Sequence, residues 1–314
     1  MSVHWTSVSS SLSASALAAV ALLGIAGCED PGASADPAEV PVEAPAEVTK
    51  PDEPTTATAV TATAASGRAA FKVPDEASIP AGEQGELTRR GKLLATRTHE
   101  ELPENVGNGL HCSSCHIGAG TTPKAGPWVG ISARFPQYRS RAGREITLEE
   151  RINSCFQRSM NGKPLDESGP DMRALVAYMD WLSQGYEKGA TIEGQGIPKL
   201  RLEREPDPEK GKALYATRCA GCHAADGKGL TAPDGAYAFP ALWGDDSYNI
   251  AAGMARLHTA AGFVKHNMPL GAGGTLTDDE AWDIAGYFAF QARPDFAGKV
   301  NDWPKGNKPA DARY

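Results

Sequence analysis

Two pentapeptides constrain this chain more than any other feature: Cys112-Ser113-Ser114-Cys115-His116 and Cys219-Ala220-Gly221-Cys222-His223. In each, thiols three positions apart can add across the two vinyl groups of one haem, while the adjacent histidine turns back to ligate the iron. A redox Cys-x-x-Cys pair or a zinc knuckle requires no trailing histidine, and here it trails twice. Each motif also follows a Gly-Lys-x-Leu stretch, Gly91-Lys92-Leu93-Leu94 and Gly211-Lys212-Ala213-Leu214. The pattern predicts a duplicated c-type cytochrome domain carrying two covalently bound haem c groups, with His116 and His223 as proximal ligands.

The periodicity agrees. An amphipathic helix is expected over 171–183, where Met172, Leu175, Val176, Met179 and Leu182 recur at helical spacing and Gly185 supplies the stop. Earlier helices are expected over 85–97 and 208–218. Thr277-Asp278-Asp279-Glu280 forms a capping box opening a helix within 276–291. No alternating strand pattern competes, so the expected fold is all-α, with two class I cytochrome c-type domains in tandem at 71–195 and 205–293. The linker near 189–207 is rich in Gly and Pro, and the polar tail 294–314 is expected to have no fold of its own.

Four of the six cysteines are taken by haem, leaving Cys28 and Cys155. Cys28 closes Leu22-Leu23-Gly24-Ile25-Ala26-Gly27, an apolar run ending in small residues, which resembles a lipoprotein-type signal over 1–27, although residues 1–10 lack the usual basic residue. The mature chain would then begin at Cys28 with a lipid on its sulfur. That lipid would anchor it to a membrane facing the periplasm, the compartment in which exported cytochromes receive haem. Residues 28–70, built from Ala, Pro, Glu, Asp and Thr, read as a disordered tether with ends about 35–40 Å apart. Residues 29–70 carry −6 of the net charge of −8, so the folded part is near neutral and no nucleic-acid partner is expected.

Distal ligands decide what a haem can do. For the second haem, Val264-Lys265-His266-Asn267-Met268-Pro269 offers Met268 as the axial ligand, with Lys265, His266 and the more distant His258 as rivals. For the first, Cys155 is the spare thiol, and Met160 is its rival. Thr147-Leu148-Glu149-Glu150 opens a helix on which Arg151, Cys155 and Ser159 stand at i, i+4 and i+8. A guanidinium beside a thiol favours the thiolate. Six arginines (134, 139, 141, 144, 151 and 158) and three acids lie between 131 and 158.

Pro127-Trp128-Val129-Gly130, Arg134-Phe135-Pro136-Gln137-Tyr138-Arg139-Ser140-Arg141 and Cys155-Phe156-Gln157-Arg158-Ser159-Met160-Asn161-Gly162 closely resemble dihaem thiosulfate dehydrogenases, the tetrathionate-forming cytochromes of sulfur-oxidising bacteria. The resemblance covers about 80–293. It implies that Cys155 is the distal ligand of a catalytic first haem, that Arg141, Arg151 and Ser159 hold substrate, and that the second haem passes electrons to a small soluble c-type cytochrome. Arg134 and Arg144 would lie on the rim. Some relatives carry lysine before the Met-Pro methionine and exchange ligands on reduction; here Asn267 stands there. A dihaem cytochrome that only transfers electrons, or a dihaem peroxidase, are the alternatives. The first would need no arginine cluster, and the second would need an open iron.

Overall fold

The computed structural model describes residues 67–233 and 237–314. Cys28, the signal segment and all but the last residues of the expected tether lie outside them. Six helices longer than a single turn follow one another among the described residues: α1 (Glu83–Thr96), α2 (Leu148–Arg158), α3 (Pro170–Trp181), α4 (Pro208–Arg218), α5 (Leu257–Asn267) and α6 (Asp278–Ala289). Both predicted capping boxes are formed, Thr147 with Glu150 at the start of α2 and Thr277 with Glu280 at the start of α6. Each satisfies two otherwise orphaned backbone donors.

The repeated Gly-Lys stretch has a packing reason. Helix α1 crosses α3 so closely that a Cβ on Gly91 would sit 2.0 Å from the Ala174 carbonyl oxygen. In the second half, α4 crosses α6 at the same depth, and a Cβ on Gly211 would lie 2.0 Å from the Asp283 carbonyl oxygen. The duplicated sequence is therefore a duplicated helix crossing, with a CxxCH motif following the glycine helix in each half. The chain carries two cytochrome c domains in tandem, mostly helical, with only two small two-stranded sheets among the described residues.

The core divides in the same way. Leu94, Phe156, Met172, Leu175, Tyr178 and Leu182 centre the first cluster, and Val264, Ala281, Ile284, Ala285 and Phe288 the second. The division is not clean in sequence. Tyr248, Ala252 and Ala255 pack in the first core although they precede α5. Asn249 donates its side-chain amide to the Gln157 carbonyl (2.9 Å) and to Asn161 Oδ1 (3.1 Å), and Asn108 donates to the Ser247 carbonyl (3.2 Å). A boundary drawn from composition cannot register a loop of one domain that completes the core of the other.

Two further elements depart from expectation. Strand β1 (Gln137–Arg139) pairs antiparallel with β2 (Arg144–Ile146), Arg139 facing Arg144, so a three-residue hairpin carries part of the arginine run. Three residues a side are too few to show an alternating pattern. The tail after Pro294, expected to lack structure, makes a 3₁₀ turn at Ala297–Asn301 and returns across the first domain, with Trp303 only 7 % exposed. Its burial follows from what it carries: Phe296, Trp303 and Tyr314 supply apolar area, and Asp302 is tied to two arginines. No helix among the described residues is long and apolar enough to cross a membrane.

Replacing Gly91 or Gly211 by Ala forces a methyl group into backbone at each crossing, an overpacking that costs about 1–3 kcal/mol or more. Thermal unfolding of the haem-loaded protein should show a lower Tm for each variant. An unchanged Tm for Gly91→Ala would mean that α1 and α3 do not cross this closely.

Candidate active site

The first haem motif begins in a short turn anchored by Thr98, whose hydroxyl accepts from the Cys112 N–H (2.9 Å) and lies 3.4 Å from Cys112 Sγ. His116 presents Nδ1 to the Gly126 carbonyl oxygen at 2.5 Å. That contact assigns the proton to Nδ1 and leaves Nε2 with a lone pair for a metal. In the second motif, His223 Nδ1 contacts the Pro240 carbonyl at 2.9 Å in the same way. Two thiols and one imidazole with its outer nitrogen already satisfied are the donor set that haem c requires, so both sites fit the group.

Cys155 faces His116. Helix α2 brings its sulfur there, and Arg151, one turn earlier, donates from Nη1 to Cys155 Sγ at 2.8 Å. Burial alone would push this thiol up. The Arg151 charge and contact with His116 outweigh it and bring the group down to about 6. Met160, the rival distal residue, is 4 % exposed within the first core.

Around this thiol the arginines fall into two groups. Arg134 and Arg139 crowd Arg151: burial and the Arg151 charge lower both, Arg139 to about 10, and the Nε atoms of both are buried without a partner. None of these three has a carboxylate within ion-pairing distance among the described residues. Arg141 and Arg158 form the second group and share Asp302, at 3.6 and 2.8 Å. Arg144 belongs to neither; it is exposed and paired with Glu150. A cavity of about 740 Å³ is lined by Arg139, Arg141, Arg151, Arg158, Ser159 and Asp302 among others. Desolvated guanidiniums without counter-ions next to a thiol make an anion-binding site with a nucleophile in it.

Of the site residues anticipated from sequence, Arg141, Arg151 and Ser159 line this cavity, and Cys155 is in contact with Arg151. Arg134, on the turn at 132–134, is half-buried and close enough to Arg151 to feel its charge. From sequence Arg139 stands only as one of the six arginines, and Arg256 and Asp302 are not singled out. The hairpin brings in the first, the loop before α5 the second and the tail the third, and none is near Cys155 in sequence.

On the second haem, Met268 ends α5 and packs against the second core. Two of its rivals are occupied elsewhere. Lys265 Nζ donates to the Leu276 carbonyl (2.6 Å) and pairs with Asp278 (3.0 Å), while His258 stacks on Trp282 and faces Asp311. Burial lowers the His266 pKa. Asn267, 6 % exposed, donates its side-chain amide to the carbonyls of Lys124 and Phe263, both at 3.2 Å.

Residues 103–187 match the SoxA/TsdA cytochrome c domain family and residues 208–289 the cytochrome c family. A thiosulfate dehydrogenase of Psychrobacter arcticus is 45 % identical over 309 residues, covering 94 % of each chain. The chain belongs to the thiosulfate dehydrogenase family. A thiosulfate dehydrogenase of Allochromatium vinosum is 51 % identical over 237 residues, covering 74 % of this chain and 88 % of that one. Among solved structures, thiosulfate dehydrogenase (TsdBA) from Marichromatium purpuratum aligns with a TM-score of 0.68 at 38 % identity, over 71 % of this chain and 50 % of that chain. Family membership and two CxxCH motifs together establish two covalently bound haem c groups.

Gly126 (φ +64°) leaves no room beside the first proximal histidine, since a Cβ there would lie 3.2 Å from His116 Nδ1. Gly126→Ala adds a left-handed backbone penalty of about 1–2 kcal/mol and presses on the imidazole. Optical titration should show the first haem's absorbance and potential displaced and the second haem's unchanged. Equal shifts in both would contradict the placement.

Proposed function

We propose that this protein is a periplasmic dihaem thiosulfate dehydrogenase that couples two thiosulfates into tetrathionate at Cys155. A small soluble c-type cytochrome accepts the electrons, and the same site serves tetrathionate reduction when driving force reverses. The observation that carries the reading is Arg151 Nη1 at 2.8 Å from Cys155 Sγ, beside Arg134 and Arg139, with no carboxylate of the described residues paired to any of the three. The family relationship supplies the substrate class. Membrane attachment through a lipid on Cys28 belongs to the same proposal.

Joining two thiosulfates removes two electrons, and two haems, when bound, accept one each. The chain's own residues address the harder problem of bringing two dianions together. Arg151, Arg134 and Arg139 hold one anion at the sulfur, and Arg141, Arg158 and Ser159 line the space for the other. Cys155 sulfur bonds the outer sulfur of the first thiosulfate with loss of two electrons. The outer sulfur of the second thiosulfate then attacks that bound sulfur, tetrathionate forms, and Cys155 leaves as thiolate, so charge and atoms balance. A protein that only transferred electrons would not gather unpaired buried arginines, whose desolvation is costly without a ligand. The position of Cys155 opposite His116 argues against a peroxidase, which needs that face open.

Cys155→Gly should abolish thiosulfate oxidation while haem stain and mass still show two attached haems, because attachment uses the other four thiols. Activity retained in the fully loaded variant would remove Cys155 from the mechanism. Arg151→Lys keeps the charge and loses the planar fork, which should cost about 1.5–3 kcal/mol, at least tenfold in kcat/KM. Wild-type turnover in Arg151→Lys at moderate ionic strength would place the substrate elsewhere.

A further inference from the structure

We infer that the C-terminal segment 296–314 is part of the active site, and that Asp302 is a positioning residue which fixes the guanidiniums of Arg141 and Arg158 on the cavity wall. The inference rests on the thiosulfate reading above and extends it to residues far from Cys155 in sequence.

A carboxylate in the wall of a site for dianions is out of place unless its charge is committed. Asp302 is such a case: its side chain is 4 % exposed and lines the cavity. Oδ1 accepts from Arg158 Nη2 at 2.8 Å, while Oδ2 lies 3.6 Å from Arg141 Nε and accepts the Tyr314 hydroxyl. Two arginines against one aspartate leave a net positive wall whose cations cannot swing away.

The segment grips each guanidinium from a second side. Arg141 lies over the Trp303 ring, 4.9 Å from its centroid, and Arg158 lies over the Phe296 ring at 4.6 Å. Backbone contacts complete the hold: Trp303 N–H donates to the Arg141 carbonyl at 2.8 Å, and Arg141 Nη1 donates to the Ala251 carbonyl at 2.5 Å. Trp303 does this in a left-handed conformation (φ +55°), a strain that a large side chain carries only where surroundings enforce it. Arg158 Nη1 reaches Ser154 Oγ at 3.1 Å, and its Nε remains buried without a partner, as does Nε of Arg256 on the same cavity. Fixed cations with unspent donors are the arrangement that binds an oxyanion without reorganisation.

Charge and positioning predict opposite signs for Asp302→Asn in the full-length, haem-loaded protein. If Asp302 acted only as a negative charge, its removal would lower KM for thiosulfate, and salt would erase the change. As a positioning residue, its loss should raise KM about tenfold at both low and moderate ionic strength, with smaller change in kcat and both haem spectra retained. A stacking pair gives a second test that leaves Asp302 in place: Trp303→Leu should raise KM severalfold, and Trp303→Phe, which keeps a ring under Arg141, should restore it. Stabilisation of the fold by inorganic sulfate supplies a readout independent of turnover, large in wild type and reduced in Asp302→Asn and Trp303→Leu. A KM that is unchanged or lowered, or a sulfate response equal to wild type in both variants, overturns the inference. A wild type that sulfate stabilises but that does not oxidise thiosulfate overturns the thiosulfate reading instead, and the sulfate comparison between variants still decides the role of Asp302.

Discussion

Everything distinctive about this chain turns on one contact, the donation from Arg151 to Cys155 within a single helix. An i, i+4 pair on a helix is set by backbone geometry, so once the Thr147 capping box fixes where α2 begins, guanidinium and sulfur meet without help from the tertiary fold. The tertiary fold decides what surrounds them. It withholds carboxylates, brings Arg134 and Arg139 alongside, and places His116 opposite. What sets the first half apart from an ordinary c-type cytochrome scaffold is the positive charge that carboxylates of the described residues leave unneutralised around one thiol.

The two halves use the same scaffold for different ends. Both cross a glycine-bearing helix over the closing helix so closely that a Cβ on the glycine would lie 2.0 Å from a carbonyl oxygen, and both satisfy Nδ1 of the motif histidine with a backbone carbonyl. Elsewhere they diverge. The first half holds a cavity lined by arginines, and in the second Met268 packs against an apolar core, with Lys265 turned to the Leu276 carbonyl.

What could be read from sequence was local. The CxxCH motifs, the capping boxes and the Arg151–Cys155–Ser159 face all depend on residues a few positions apart, and each stands where spacing puts it. Arg256 and Asp302 escaped because a loop lent by the second domain and a returning tail bring them in, and neither leaves a periodic trace. Arg134 and Arg139 were legible as cations of the run but not as neighbours of Arg151. Polarity alone misjudged the tail. Its three aromatic residues and the aspartate between them were the available signal.

Asn267 has a role of a different kind. Its side chain, adjacent to Met268 in the chain, is bonded to the carbonyl of Lys124, two residues from the Gly126 carbonyl that orients His116. The end of α5 is thereby fastened to the loop that orients His116, by a buried strut and not across solvent. A displacement of the end of α5 therefore has a direct mechanical route, through Lys124 and Gly126, to His116.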